Sequence, residues 1–223
     1  MVIQAVVFDF DGLLMDTESS LLASWQHEWR QHGLELDLGT FWVDHGGDVT
    51  QERYERLARE VGPSYDQRAS HARRVAYRER LLASLGLRPG IEVWLRQARA
   101  AGLRLAVATS SPRAWVHGLL SRVGRADWFE LMACGDEVAA PKPAPDVYVL
   151  ALDRLGVLPE RAIAVEDSPH GVAAARAAGM RCVAIPNPHA DPSRFAAANL
   201  LLTSAAELAL RDVLDAIDAR RHA

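Results

Sequence analysis

Four groups of residues in this chain could do chemistry together. Asp9 and Asp11 flank Phe10 directly after the apolar run Ala5-Val6-Val7-Phe8. Thr109-Ser110-Ser111 ends a second apolar run, Lys142 stands among Pro141, Pro143 and Pro145, and Glu166-Asp167 follows a third run from Ala162 to Val165. Carboxylates, hydroxyls and one ammonium brought to a common edge suit the binding and cleavage of a phosphate ester with Mg²⁺. A carboxylate after a buried run is costly to hold unpaired, and a bound cation removes that cost. Mg²⁺ takes oxygen ligands and keeps several waters, so two carboxylates and a carbonyl are enough from the protein. Asp167, at a neighbouring strand end, can supply the second carboxylate. Thr109 offers a hydroxyl, Ser110 and Ser111 their backbone N–H groups, and the helix expected from Pro112 its positive end. Capping of that helix uses the same N–H groups, so capping and anion binding are compatible.

Lysine usage singles out one position. Of 25 basic residues, 24 are Arg and the remaining one is Lys142. A lysine is a compact point charge on a flexible stem, whereas arginine presents a wide planar fork. The flanking prolines restrict the loop and lower the entropy lost when the ammonium is held in place.

These groups need elements to position them. Apolar runs at about 5–10, 103–109, 162–165 and 182–185, with a weaker one at 200–203, read as buried parallel strands. Helical patterns lie between them, at about 92–101, 112–123, 145–155 and 171–178, each stopped by a glycine. Ser111 is the expected N-cap of the second of these helices, with Pro112 at its first position. This alternation implies an α/β protein, a Rossmann-like parallel sheet core, in which ligands bind at the carboxyl ends of the strands. From 16 to 88 the rhythm breaks into helical segments near 18–32, 50–61 and 65–85. The expected organisation is therefore a core of residues 1–15 and 89–223, with an inserted all-helical domain at 16–88. Leu21, Leu22, Trp25 and Trp29 fall on one helical face and read as packing core. His27, His32, His45 and His71 form no metal pair and read as surface or substrate-facing.

Composition narrows the function classes. The 223 residues carry a formal charge of −4, with 49% hydrophobic and 24% charged residues. A mildly acidic chain gives no electrostatic case for nucleic acid or an anionic membrane as partner. Cys134 and Cys182 are far apart and in no metal-type spacing, which favours a reducing compartment. The first residues lack a basic segment and reach Asp9 early, so a cleaved leader is not expected, and no apolar run is long enough to span a bilayer. A cytoplasmic protein, monomeric by default, is the expectation.

The motifs Asp9-Phe10-Asp11-Gly12 with Asp16-Thr17, Thr109-Ser110-Ser111, Lys142-Pro143-Ala144-Pro145-Asp146 and Val165-Glu166-Asp167-Ser168-Pro169-His170-Gly171 resemble, in order, the four motifs of the haloacid dehalogenase-like hydrolases. The chain is similar in particular to the helical-cap members that include β-phosphoglucomutases and sugar-phosphate phosphatases. The resemblance implies that Asp9 is a nucleophile forming an aspartyl-phosphate and that Asp11 is the general acid and base. It implies Mg²⁺ held by Asp9, the Asp11 carbonyl and Asp167, with Glu166 acting through water. It further implies that Thr109, Ser110 and Lys142 hold the phosphoryl group, that Gly12 allows the tight turn beside it, and that the cap closes over a small phosphorylated metabolite.

Within that family the residues favour a phosphatase. Asp11 argues against a dehalogenase, and an insertion without lysine closes the Schiff-base route of phosphonate-cleaving relatives. Mutases resembling this chain carry a histidine where Leu21 stands and basic cap residues where His45-Gly46-Gly47-Asp48 stands. A β-phosphoglucomutase-like mutase and a non-catalytic binding module remain the alternatives. Glu18, Trp25, His45, Asp48 and arginines of the third helix are the candidate selectivity residues.

Overall fold

Four of the strands are continuous apolar runs without alternation, the pattern of a sheet covered on both faces. In the computed structural model, which describes residues 2–41, 49–188 and 190–219, they form one parallel sheet. Its strands are β1 (Ala5–Phe8), β2 (Arg104–Ala108), β3 (Leu131–Ala133), β4 (Ala162–Glu166), β5 (Arg181–Ala184) and β6 (Leu200–Leu201). They lie in the order β3-β2-β1-β4-β5-β6, the doubly wound order in which the chain works outward on one side of β1 and then returns to the other. Phe8 is in register with Val107 of β2 and with Val165 of β4. The residues following these three strands therefore emerge side by side.

The chain divides into two compact units, one of Met1–Met15 with Gly86–Ala223 and the other of Asp16–Leu85. The second unit contains α1 (Thr17–Gln31), α2 (Leu38–Phe41), α3 (Thr50–Val61) and α4 (Gln67–Ala83). Asp16 caps α1 by accepting from the Ser19 N–H, and Asp66 caps α4 by accepting from the Ala69 N–H. Leu22, Trp25, Trp29, Phe41, Tyr54 and Leu57 form its core, so the tryptophan stripe packs as expected. Arg74 lies buried within it, donating to the Tyr54 hydroxyl at 2.9 Å and stacking on the Trp25 ring. His27 stacks on Tyr77, His32 contacts Glu28 and His71 meets the Tyr54 hydroxyl. His45 and Asp48 fall outside the described residues.

In the sheet unit, α5 (Ile91–Ala100), α6 (Arg113–Arg122), α7 (Asp146–Leu155), α8 (Pro169–Ala177) and α9 (Leu210–Ala219) follow. Ala5, Val7, Ala106, Ala108, Ala162 and Ala164 share a buried cluster with Tyr148, Leu152, Val172 and Ala175 of α7 and α8. These strand residues are mostly alanine, which lets the two helices approach the sheet closely. The alternate residues Val6, Phe8, Val107 and Val165 point to the opposite face.

Five features differ from the sequence expectation. β3 is three residues long, too short for a periodic signal, and α9 and the one-turn α2 were not anticipated. Gly86–Arg88 belong with the sheet unit, because Arg88 donates its N–H to the Leu14 carbonyl at 2.9 Å and Leu87 bridges Met15. Helix α6 starts one residue late: Pro112 is its N-cap, extended at φ −66°, ψ 148°, and has no side-chain acceptor to offer. No helix among the described residues is long and apolar enough to cross a membrane.

Candidate active site

Asp9 leaves β1 with its N–H still donating to the Val165 carbonyl at 2.9 Å, so its position is set by the central ladder. It is 7% exposed. The chain then turns sharply. Gly12 sits at φ +77°, a region open to glycine, and its N–H donates to the Met15 carbonyl at 2.9 Å. Its carbonyl accepts from the Arg88 guanidinium.

Lys142 reaches this strand edge from the proline-rich loop and is itself buried. Its Nζ donates to Asp9 Oδ1 at 2.5 Å, Glu166 Oε1 at 2.6 Å and the Ala108 carbonyl at 2.9 Å. Three protons meet three acceptors, so the ammonium is saturated by the protein. Burial pulls its pKa down, but the Asp9 and Glu166 carboxylates outweigh burial and hold it above the ordinary lysine value. Burial is also the largest influence on Asp9, where it pushes the carboxyl well up. Lys142 opposes that rise, and the Glu166 and Asp167 charges add to it. One ammonium serving several buried acids accounts for both directions.

Glu166 is fully buried. Its Oε1 also accepts from the Tyr148 hydroxyl at 2.6 Å, and its Oε2 from the Asp167 N–H at 3.2 Å and the Ser168 hydroxyl at 3.3 Å. Burial first, then the Glu166 charge, raises the Tyr148 pKa, so the phenol stays a donor. Ser168 in turn caps α8 by accepting from the Gly171 N–H at 3.0 Å. Gly171 leaves the space that the Glu166 carboxylate fills, since a Cβ there would stand 1.9 Å from it.

The acids Asp9, Glu166 and Asp167, all buried, place ligand oxygens within 4.8 Å of one another. Three carboxylates against one ammonium leave an excess of negative charge, and the donors are hard oxygens. That set fits Mg²⁺. The Asp11 side chain is not part of this group. A second acidic group, Cys134 with Asp136 and Glu137, is engaged in structure: Glu137 pairs with Arg113 and Arg154 and accepts from the Cys134 N–H.

Thr109 continues β2, donating its N–H to the Ala133 carbonyl at 3.0 Å, and its hydroxyl oxygen accepts from the Ser111 N–H at 3.1 Å. Ser110 lies on the exposed side of this loop, and its hydroxyl accepts from the Lys142 N–H at 3.4 Å. The structure therefore gathers Asp9, Lys142, Glu166 and Asp167 tightly, with Thr109 and Ser110 on the adjoining strand end. Sequence reasoning missed Tyr148, and it gave Gly171 only as the last residue of the fourth motif, with no role. Tyr148 carried a faint signal as a phenol on an apolar helix face.

A model of the haloacid dehalogenase-like hydrolases matches residues 6–185. YhcW of Bacillus subtilis is 35% identical over 219 residues, covering 98% of this chain and 99% of its own. A phosphorylated carbohydrates phosphatase of Thermotoga maritima is 31% identical over 183 residues, covering 79% and 82%. The crystal structure of CbbY from Rhodobacter sphaeroides in complex with phosphate is 34% identical. It superposes with a TM-score of 0.74 over 97% of this chain and all of that one.

Proposed function

This chain belongs to the haloacid dehalogenase-like hydrolases and is a phosphoric monoester hydrolase; on that premise we propose that it hydrolyses a small sugar or polyol phosphate, with Mg²⁺ as cofactor, through a phosphorylated Asp9. The observation that carries this reading is the Asp9 carboxylate held at 2.5 Å by a buried Lys142, beside Glu166 and Asp167. The Asp9 carboxylate, the Asp11 carbonyl and Asp167 would hold the ion, with Glu166 acting through water. Bound there, Mg²⁺ would neutralise charge on the phosphoryl oxygens.

Asp9 attacks phosphorus as the ester P–O bond breaks, and Asp11 gives its proton to the departing oxygen. Asp11 then takes a proton from water, which attacks phosphorus and releases Asp9 as a carboxylate. Thr109 and the Ser110 N–H hold the transferring group, and preorganised donors of this kind supply most of the rate in phosphoryl transfer. Lys142 has no spare proton, so its contact with phosphate comes by exchange: the N–H now aimed at Asp9 Oδ1 turns to a phosphoryl oxygen.

A phosphatase is preferred to a mutase because Leu21 stands where mutases resembling this chain carry a histidine. The relatives that are phosphatases of phosphorylated carbohydrates, fructose 1-phosphate and hexitol phosphates support the substrate class. The test is a panel of hexose, hexitol and glycerol phosphates with Mg²⁺, together with β-glucose 1-phosphate plus a bisphosphate primer. Free phosphate is expected, and Asp9→Asn should abolish it. Stoichiometric glucose 6-phosphate without phosphate release would overturn the reading in favour of a mutase. Equal rates from the unaltered and Asp9→Asn proteins would favour a non-catalytic module.

A further inference from the structure

Asp11 is clasped by neutral donors. Trp115 Nε1–H donates to its Oδ1 at 2.9 Å and the Ser111 hydroxyl to its Oδ2 at 2.6 Å. A carboxyl group with a donor on each oxygen cannot turn about its Cβ–Cγ bond without losing both.

The two donors stand on a firm frame. The Ser111 carbonyl accepts from the Gly135 N–H at 3.0 Å. A side chain at Gly135 would strike the Ser110 carbonyl oxygen at 1.9 Å, so the loop lies directly against that backbone. At the start of α6, Arg113 donates its N–H to Asp136 at 3.1 Å, and its guanidinium to the Met132 carbonyl at 2.5 Å and Glu137 at 2.8 Å. Val116, Leu119 and Leu120 bury the face behind. An indole N–H has no rotor and only ever donates, so its aim is fixed once the helix is fixed.

We propose that Trp115, with Ser111, is a positioning residue that aims the Asp11 carboxyl group at the departing oxygen of the ester. This rests on the reading of Asp11 as proton donor above. In that step the ester P–O bond breaks, its electron pair stays on the leaving oxygen, and the Asp11 proton makes it a neutral alcohol. An alkoxide needs that proton. A p-nitrophenolate spreads its charge over the ring and departs without it. Misaimed Asp11 therefore penalises alkyl esters far more than activated aryl esters.

The experiment compares single-turnover cleavage of benzyl phosphate and p-nitrophenyl phosphate, two esters of similar size, by the full chain with Mg²⁺. Trp115→Phe keeps an aromatic side chain, though a smaller one, and removes the N–H. The ratio of aryl to benzyl rate constants is expected to rise about tenfold, the upper end of what one hydrogen bond contributes. An unaltered ratio, even with both rates lowered, would show that Trp115 only packs α6 and would overturn the proposal. Should Trp115→Phe fail to fold by circular dichroism, Ser111→Ala must raise the same ratio, and an unaltered ratio there overturns it equally. Failure of the unaltered chain to cleave either ester would instead strike the proposed function itself.

Discussion

Replacing Gly171 with alanine puts a methyl group where the Glu166 carboxylate now lies. The new Cβ would stand 1.9–2.0 Å from Cδ and both oxygens of Glu166, where ordinary contact begins at 3.4 Å. The carboxylate must retreat by about 1.4 Å in a close-packed interior. A glutamate with a free end would do so cheaply. Glu166 is not free: Lys142 and Tyr148 each bond its Oε1 at 2.6 Å, and the Asp167 N–H and Ser168 hydroxyl bond its Oε2. Retreat strands the buried Tyr148 hydroxyl at a cost of about 1–3 kcal/mol, and it draws Lys142 away from Asp9. A shift of about 1 Å at reacting groups costs on the order of a hundredfold in rate. The expected result is therefore a fall of about a hundredfold in kcat/KM on p-nitrophenyl phosphate. A Tm lower by about 2–10 °C should accompany it. Retention of activity within about threefold, with Tm unmoved, would refute the reasoning, because Glu166 would then have room to retreat without losing its partners.

Other outcomes follow from the same contacts. Lys142→Arg keeps the charge but not the fit of a compact Nζ that lies between Asp9, Glu166 and the Ala108 carbonyl and 4.9 Å from the Tyr148 ring centroid; steady-state kcat/KM should fall about a hundredfold, and near-normal rates would show that charge alone matters. Arg73→Met in the helical unit removes the bonds to both oxygens of the fully buried Glu28. Because Arg73 is half-exposed and His32 stays beside Glu28, urea unfolding should show a loss of about 1–2 kcal/mol, partly restored by adding Glu28→Gln, and no loss would mean that the carboxylate is hydrated. Burial pushes the Cys134 thiol up to about 11 and raises Cys182 as well. A raised thiol pKa keeps the protonated, unreactive form through neutral pH, so a disulfide-exchange reagent at pH 8 should label neither cysteine in the folded chain and both in urea. Rapid labelling of the native protein would contradict it.

The legible part of this molecule was its interior rhythm. Val6-Val7-Phe8 and Ala162–Val165 announced themselves because strands covered on both faces need uninterrupted apolar residues. The site acids were legible because they follow those runs directly. What escaped is what no local pattern encodes. β3 is held by its pairing with Ala106–Ala108 and by the helix above it, and its three residues carry no period of their own. Ser111 reads as a helix cap from its neighbours, yet its hydroxyl donates to Asp11, 100 residues away in sequence. Trp115 reaches the same carboxylate across 104 residues. Tyr148 and Gly171 act on Glu166 from two different helices. Such long-range pairs are set by sheet order, which the strand runs alone do not specify.

The placement of Asp9 on β1 also bears on how the molecule comes apart. β1 has a fully paired strand on either side, whereas the outermost strands are short, with two residues in β6 and three in β3. Local opening starts at such margins, and a middle strand exchanges its amide protons only when the whole unit lets go. Asp9, the proposed nucleophile, is thus mounted on the most slowly released piece of backbone, so thermal fraying at the rims should leave turnover intact and activity should disappear only at the cooperative transition.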